Sequence, residues 1–413
     1  MNSHTNDTAW QKSAAALEAN VSDHGFLAAS PDGHEGEAKH YAALFSRDVA
    51  VCVLGALASG DKKLIAAGKL SLETLADAQS EKGQLPFYFK PEKNEIKWWY
   101  PGSIDGTIWW VIAVLTYVRE TDDQEFYQKH KNAIERAFIW LTYQDTNEDS
   151  LLEQGEASDW ADEFPRTGTV LYSNALWYWL VRLRIEVEGR DDLKELKSNI
   201  YEGVNTLLWI HKRSDANTDY FPENTYVKKN IYATPNIESA NVRAVYLPYY
   251  LGYISHKTHE VRCDVYGNIL ACLVGLADEH KSKDIIDFII RSGCNKPYPV
   301  KALYPPVYPG EPDWREYMVK GRQNYPWQYH NGGVWPYIGG FWVALLARHD
   351  EKLAQEELQK LASANEINNW EFNEYLHGQL GTPMGISHQS WNMAAYLFAA
   401  QSLRNESGEG VLA

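Results

Sequence analysis

Two carboxylic acids flank a tryptophan in the segment 153–168, EQGEASDWADEFPRTG. Asp159 and Asp162 lie on either side of Trp160, and Arg166 follows them. A carboxyl group that packs against an indole ring loses water, which raises its pKa and suits it to act as a general acid. A solvated acidic loop anchored by one tryptophan is the alternative interpretation.

A second acidic group lies in the segment 369–378, NWEFNEYLHG. Glu374 stands there between Trp370 and Tyr375, and His377 follows. Two carboxyl groups that face each other across a sugar can hydrolyse a glycosidic bond, since one protonates the leaving oxygen and the other activates water or attacks carbon. Taken alone, Glu374 also fits an ordinary surface acid.

Charged residues at two predicted helix starts suit the binding of hydroxyl groups. Arg47 and Asp48 are adjacent, and a carboxylate can accept protons from two vicinal hydroxyls. Asp48 could instead cap its helix beside a salt bridge. Asp105 has the same two interpretations, because it precedes the apolar run that contains Trp109 and Trp110.

Aromatic and polar side chains also alternate in the segment 325–336, YPWQYHNGGVWP. This run resembles a binding wall more than a core, and a packed loop with a satisfied histidine is the alternative. Its candidate ligand contacts are Trp327, Tyr329, His330, Asn331 and Trp335. His388 and Trp391, at the start of a later helix, belong to the same class of candidate.

Composition excludes several other functions. The chain has 39 Lys and Arg against 55 Asp and Glu, and a net charge of −16 without a basic block argues against nucleic acids and anionic membranes. No nucleotide-binding motif, metal-ligand spacing, membrane span or secretory signal is found, and the four cysteines form no CxxC pair. We expect a cytoplasmic protein without metal or organic cofactor.

Helical periodicity recurs through the chain, and it predicts an all-α protein with about a dozen helices. The predicted helices cover 49–60, 62–79, 107–118, 124–143, 172–186, 192–209, 240–255, 264–278, 283–292, 333–348, 351–369 and 387–402. Long loops at 83–104, 148–169, 214–238, 295–331 and 370–386 hold many of the 16 tryptophans and 26 tyrosines. A toroid of helical hairpins would bring alternate loops to one face. We predict a single domain over 1–413, with a possible N-terminal arm at 1–25 and a flexible tail at 404–413.

Five stretches carry the candidate residues: FSRDVAVCVLGALASGD, GSIDGTIWWVIAVL, DWADEFPRTGTVLYSNALWYWL, YHNGGVWPYIGGFWVALLA, and WEFNEYLHG followed by HQSWNMAAYLFA. In this order, over residues 40–402, they resemble the inverting glycoside hydrolases of the (α/α)6-barrel type. The likeness is greatest to the amylo-α-1,6-glucosidase domain and the neutral/alkaline invertases, and more distant to the processing α-glucosidases. It implies an (α/α)6 toroid with long aromatic-rich loops on one face. The chain lacks a transferase domain and parts of the invertase pattern around the acid.

The resemblance also implies roles for the candidate residues. Asp162 corresponds to the general acid, with Asp159 as its competitor, and Glu374 corresponds to the general base. Inversion predicts that the two carboxyl groups lie about 6.5–9.5 Å apart. The implied ligand is a small soluble carbohydrate, namely an α-linked glucoside or small oligosaccharide that is cleaved at its end, or sucrose. Its implied contacts are Arg47, Asp48, Asp105, Trp109, Trp110, Trp160, Arg166, Trp327, Tyr329, His330, Asn331, Trp335, His388 and Trp391.

Two other functions remain open at this point. The same helical toroid hosts sugar epimerases, which would use a histidine pair such as His330 with His377 or His388. A carbohydrate-binding protein without turnover is the third possibility. The sequence leaves the substrate and the oligomeric state undetermined.

Overall fold

A computed structural model describes residues 2–30, 41–99, 103–210, 247–320, 323–405 and 410–412. The described part is rich in α-helix, as the periodicity predicts. Its helices are α1 (Asn2–Ala19), α2 (Ser46–Ser59), α3 (Lys62–Asp77), α4 (Asp105–Thr121), α5 (Gln124–Thr142), α6 (Leu171–Glu188), α7 (Lys194–Leu207), α8 (Val265–Leu273), α9 (Glu279–Ser292), α10 (Pro336–Ala347), α11 (Glu351–Trp370) and α12 (Ser390–Ser402).

Six of these helices contact one another in a closed order. Helix α2 packs on α4, α4 on α6, α6 on α8, α8 on α10, α10 on α12, and α12 returns to α2. These helices are apolar on most sides: α4 is buried continuously from Asp105 to Val118, and α10 from Pro336 to Leu346. A helix without a polar face must be covered on all sides, so these six form the interior of the protein.

The other six helices pack outside this inner set. Helices α3, α5, α7, α9 and α11 lie against α2, α4, α6, α8 and α10, in that order, and α1 lies against α12 and α11. These outer helices bury one stripe only. Helix α9, for example, buries Ser282, Ile285, Ile286 and Ile289, while its other residues are exposed or half-buried. Among the described helices, none has the length and hydropathy of a membrane span.

Short antiparallel strands lie in the connections. They are β1 (Val21–Ser22), β2 (Gly25–Phe26), β3 (Leu44–Phe45), β4 (Tyr88–Lys90), β5 (Glu95–Lys97), β6 (Glu153–Gln154), β7 (Gly168–Val170), β8 (Tyr253–Ile254), β9 (Cys263–Asp264), β10 (Leu303–Tyr304), β11 (Tyr375–Leu376) and β12 (Pro383–Met384). Two sheets have three strands, in the orders β3-β4-β5 and β6-β7-β8, with Thr169 opposite both Glu153 and Ile254. The remaining strands form pairs. Strands β3, β7 and β9 run directly into inner helices and so fix where those helices begin.

The helix boundaries follow local chemistry where the sequence carries a clear stop or start signal. Gly60 adopts the left-handed conformation (φ 67°) that ends α2, and the Asp61 carboxylate accepts from the amides of Lys63 and Leu64 to begin α3. This confirms the predicted boundary. Residues 2–19 of the predicted N-terminal arm form α1.

The predicted helix at 240–255 is wrong where it can be compared. Residues 240–246 lie outside the described residues, as does the predicted loop 214–238, and no helix is present from 247 to 255. Tyr253 and Ile254 instead form β8, which pairs with β7. At the other end of the chain, Val411 and Leu412 of the predicted flexible tail are buried, and their carbonyls accept from Arg119 and Arg348.

Candidate active site

The candidate site lies at the N-terminal ends of the six inner helices. Each contributes its first or second residue: Arg47, Asp105, Tyr172, Tyr266, Tyr337 and Trp391. Neighbouring side chains of this set touch around the ring of helices. Tyr172 and Tyr266 have ring centroids 5.3 Å apart, Tyr266 and Tyr337 5.4 Å, and Tyr337 stacks on Trp391 at 4.3 Å. We call these six side chains the floor of the site.

Arg47 is held in the floor by a buried carboxylate. Asp105 is fully buried and accepts from Arg47 Nη1 at 2.8 Å, from the Tyr172 hydroxyl at 3.0 Å and from the Ser103 hydroxyl at 2.9 Å. Asp105 therefore does not cap its helix, which has Ile104 at the N-cap. Within the described structure, the buried Arg47 Nε has no hydrogen-bond partner, so one donor remains for a ligand.

Asp48 lies beside Arg47 in the first turn of α2. Phe45 occupies the N-cap of this helix, so the capping role considered for Asp48 is wrong. Burial raises the pKa of the Asp48 carboxyl to about 7, although the Arg47 guanidinium, 3.9 Å away, opposes the rise. A buried acid that titrates near neutrality can either donate or accept a hydrogen bond from a hydroxyl group.

Asp162 carries the strongest signature of a proton donor. The residue is half-buried, and loss of solvent around its carboxyl raises its pKa to about 8. The negative charges of Glu163, Glu374 and Asp105 also raise this pKa, while Arg47 lowers it. At neutral pH the Asp162 carboxyl is therefore mostly protonated.

Glu374 is a buried carboxylate with two fixed hydrogen bonds. Its Oε1 accepts from the Tyr41 hydroxyl at 3.2 Å, and its Oε2 accepts from the Ile386 amide at 3.1 Å. Gly385 leaves room for this arrangement, because a Cβ there would lie 2.3 Å from Glu374 Oε2. Hydrogen bonds donated to both oxygens stabilise the ionised form of a carboxyl group.

Two tyrosines connect the two acids. The pKa of the Tyr41 hydroxyl is raised by burial and by the charges of Glu374, Asp162 and Asp48. The pKa of Tyr329 is raised by burial and by Asp162, Tyr41 and Glu374. The charges of both carboxyl groups therefore act on both phenols, which means that Asp162 and Glu374 lie near the same two tyrosines.

An aromatic wall stands over the floor. His330 stacks on Trp335 with centroids 5.2 Å apart and planes 6° from parallel, and it meets the edge of Trp160 at 4.7 Å. Trp335 also stacks on Tyr375, next to Glu374, and touches Trp391. Burial and the charges of Arg166 and Arg47 lower the pKa of His330 well below its usual value, so this imidazole is neutral.

The loops that carry these groups are locally strained. Tyr329, Phe372 and His388 have φ values of 46°, 47° and 61°, a left-handed conformation that large side chains seldom adopt. Such strain persists only where the surrounding contacts enforce it, and it concentrates at functional sites.

Residues 185–406, more than half of the chain, match the family model described as alkaline and neutral invertase. The chain belongs to the alkaline and neutral invertase family. Alkaline/neutral invertase CINV2 of Arabidopsis thaliana is 23% identical over 339 residues, which are 75% of this chain and 59% of that protein. Probable alkaline/neutral invertase F of the same plant is 23% identical over 433 residues, 93% of this chain and 85% of the relative. The chain spans about three-fifths of the length of the first of these.

A solved structure shares the fold. The GH63 mannosylglycerate hydrolase from Thermus thermophilus, in complex with Tris and D-glycerate, superposes with a TM-score of 0.66 at 14% identity. The match covers 94% of this chain and 99% of that one. The likeness extends over nearly all of both chains, so this chain shares the fold of that hydrolase.

Three polar residues that the sequence assigned to the site of this chain have hydrogen-bond partners within the protein. Asp159 is buried, and its carboxylate accepts from Arg166, from Gln154 Nε2 and from the Ala161 amide. Arg166 also donates to Asp264 at 2.7 Å, so both ends of its guanidinium are paired. The Asn331 amide group bonds the backbone of Val307. These side chains fasten loops to one another.

Three tryptophans that the sequence predicts as ligand contacts make other contacts in the structure. Trp109 donates to the Tyr172 hydroxyl at 2.8 Å, so it supports the floor from below. Trp110 donates to the Leu72 carbonyl of α3, which places it between the helix layers, and its predicted role as a pocket wall is wrong. Trp327 packs on Tyr304, and its carbonyl accepts from the Gly378 amide, so it contacts the connection between β11 and β12.

The histidine pair expected of an epimerase does not form among the described contacts. His377 Nδ1 accepts from the amides of Gln379 and Leu380 within a turn. His388 is half-buried, and its backbone joins Glu371 and Asn20. His330 contacts aromatic rings instead of either residue.

The described residues contain no group of three or more His, Cys, Asp or Glu that could hold a metal ion. All four cysteines are buried and free of disulfides. The sequence did not identify Tyr41, Tyr172, Tyr266 or Tyr337 as site residues. The position of the last three, as second residue of an inner helix, is the signal that could have found them.

Proposed function

We propose that this member of the invertase family hydrolyses an α-linked glucoside with inversion of the anomeric carbon. Asp162 is the general acid and Glu374 the general base. The observation that carries the proposal is the contrast between two carboxyl groups that share the tyrosines Tyr41 and Tyr329. The Asp162 carboxyl has a pKa of about 8, and the Glu374 carboxylate is fixed by two hydrogen-bond donors. Different environments for two acids in one site separate the acid from the base.

The proposed reaction follows from these environments. Asp162 gives its proton to the glycosidic oxygen as the bond from that oxygen to the anomeric carbon breaks. Water attacks the opposite face of the same carbon, and Glu374 accepts the proton that the water loses. The products are a free sugar of inverted configuration and the leaving alcohol. We keep the expected carboxyl separation of about 6.5–9.5 Å, which leaves space for that water.

Asp162 is proposed as the acid in preference to Asp159. The Asp159 carboxylate is closed in by Arg166, Gln154 and a backbone amide, so both of its oxygens are already paired within the protein. Arg47 and Asp48 are proposed to bind hydroxyl groups of the sugar, with Trp160, His330, Trp335 and Trp391 as its walls.

The architecture is proposed to be a single (α/α)6 toroid over the chain. The closed order of inner helices and the partner outside each one support this, as does the similarity to the Thermus hydrolase. The floor then lies at one end of the toroid, where the inner helices begin. A cytoplasmic location stays a prediction from the sequence.

Sucrose is the first substrate to test, because the curated relatives are invertases. The Thermus hydrolase acts on mannosylglycerate, so glycosides of glycerate are the second arm, and α-1,6-linked glucosides the third. Each is incubated with wild type, Asp162→Asn and Glu374→Gln, and the released sugar is quantified. We expect both variants to lose about a hundredfold to ten-thousandfold in kcat, the usual contribution of a general acid or base. Unchanged turnover in either variant would remove that residue from the mechanism.

The epimerase alternative receives no support from the contacts of its histidines. It predicts that free mannose or glucose is converted to another sugar without release from a glycoside. We expect free sugars to be left unchanged.

A further inference from the structure

Trp99 differs from every other tryptophan of the chain in its exposure. All sixteen lie within the described residues, and Trp99 alone is exposed, with 38% of its surface accessible. Trp99 belongs to the sequence segment WWY at 98–100, and the reaction proposed above assigns no role to this segment.

The Trp99 ring is fixed in place. Its indole Nε1 donates to the Ala157 carbonyl at 3.1 Å, and its ring lies 5.0 Å from that of Phe87. Its backbone has φ 62°, a left-handed conformation that is unfavourable for so large a side chain. The ring is therefore a rigid, presented surface, which binds a ligand at a lower cost in conformational entropy than a mobile side chain would.

The contacts of Trp99 link it to the segments that carry both proposed catalytic groups. Ala157 lies in the loop that carries Asp162. On its other side, Trp99 begins an aromatic row that continues through Phe87 and Phe45 to Tyr41, with successive centroids 5.0, 5.2 and 5.7 Å apart. Tyr41 is the residue that donates to Glu374.

The row runs from solvent inward. Phe87 and Phe45 are each 8% exposed, against 38% for Trp99, and the Arg47 guanidinium lies 5.9 Å from the Phe87 ring. The Phe87 ring thus contacts both Trp99 and Arg47, and Trp99 lies on its solvent side. A leaving group that extends from a sugar over Arg47 toward solvent would pass the Trp99 ring.

We propose that Trp99 is the platform for the leaving group, stacking on the apolar face of the sugar ring that is released. This inference rests on the proposed hydrolase function. It assigns selection of the leaving group to Trp99, while the floor binds the glucosyl group. A flat ring with a polar edge suits such a partner, since a sugar ring has both C–H faces and hydroxyl groups.

Two substrates that share one glucosyl group test the platform. Sucrose has a ring as its leaving group, and α-glucosyl fluoride has a single atom. We expect Trp99→Ala to lower kcat/KM for sucrose by about threefold to tenfold, the effect of one lost aromatic contact, and to leave that for the fluoride unchanged. The kcat/KM of Trp99→Phe for sucrose should lie between the values for the wild type and for Trp99→Ala. Tyr143→Ala, an exposed aromatic (76%) that follows outer helix α5, is the matched control and should change neither.

Three outcomes contradict the platform: equal loss on both substrates, loss on the fluoride alone, or no loss on either. If the wild type hydrolyses neither of these substrates nor the other glycosides tested above, the proposed function fails, and the platform is decided by binding. Titration calorimetry with sucrose and with glucose then compares Glu374→Gln with the double variant that also carries Trp99→Ala. We expect weaker binding of sucrose only, and equal affinities for sucrose in both proteins would overturn the platform.

Discussion

At the scale of the residue, the proposed role of each carboxyl group depends on what surrounds it more than on which acids are present. Asp159 and Asp162 are three positions apart, yet one is paired with Arg166 and the other is protonated at neutral pH. Sequence identifies both as candidates, because it shows residue types but not partners. Tyr41 escaped notice for the same reason, since its partner Glu374 is 333 positions away.

The raised pKa of Asp162 predicts how activity depends on pH. The acid must be protonated to donate, so kcat/KM should fall as pH rises through about 8. Glu163→Gln removes a negative charge that raises this pKa, so the fall should move to lower pH. The pH dependence of kcat/KM between about pH 5 and pH 10, fitted with one ionisation on each side, gives the pH of this fall for the wild type and for Glu163→Gln. A profile that is unaltered by Glu163→Gln would contradict the assignment.

Tyr41→Phe removes the hydroxyl that donates to Glu374 Oε1. Losing one hydrogen bond to a charged group corresponds to about tenfold or more in rate when the bond orients the base. We expect kcat to fall by that factor with KM little changed, measured by initial rates on the best substrate. Tyr88→Phe is the control, because the Tyr88 hydroxyl donates to Glu95. Equal effects of the two variants would show that Tyr41 only fills space.

At the scale of the element, apolar periodicity predicts most helices because tertiary packing agrees with it. The predicted helix at 240–255 fails since its apolar run contains Pro248, which cannot donate a backbone hydrogen bond. The backbone there bonds other segments: Tyr250 donates to Asn268 Oδ1 and Leu251 to the Leu208 carbonyl. Trp109 and Trp110 are consecutive on a helix and point about 100° apart, so one wall could not contain both.

Arg166 fastens the acid-bearing loop to the start of α8, between the buried carboxylates of Asp159 and Asp264. Replacing it with methionine leaves two buried charges unpaired, which should lower the free energy of unfolding by about 3–5 kcal/mol. Arg190→Met is the control, because Arg190 forms its pairs at the surface and should contribute less than about 1 kcal/mol. Denaturant unfolding compares the variants. Similar losses would contradict the anchoring role.

At the scale of the whole molecule, the site is assembled from the first or second residue of six helices. No sequence repeat reveals this arrangement, because the residues in those positions are Arg, Asp, Tyr, Tyr, Tyr and Trp. The family resemblance indicated the arrangement, whereas spacing alone could not. Closure requires the first and last inner helices to meet, and they do so where Gly55 faces Ala394.

The closing contact between α2 and α12 is testable. A Cβ at Gly55 would lie 2.5 Å from the Ala394 Cα, a backbone atom that cannot move aside alone. Gly55→Ala should therefore destabilise the protein by about 1–3 kcal/mol, as overpacking does. Gly68→Ala in outer helix α3 is the control: its nearest atom is a Val53 methyl group at 3.3 Å, and the change should stay within about 1 kcal/mol. Thermal unfolding measures both, and a neutral Gly55→Ala would contradict tight closure.

The central claim is that Asp162 and Glu374 act on opposite faces of the sugar. Proton NMR of an α-glucoside during hydrolysis tests it most directly, because it shows which anomer of glucose forms before mutarotation. The account predicts that β-glucose appears first. Accumulation of α-glucose first would mean retention of configuration and would contradict the mechanism.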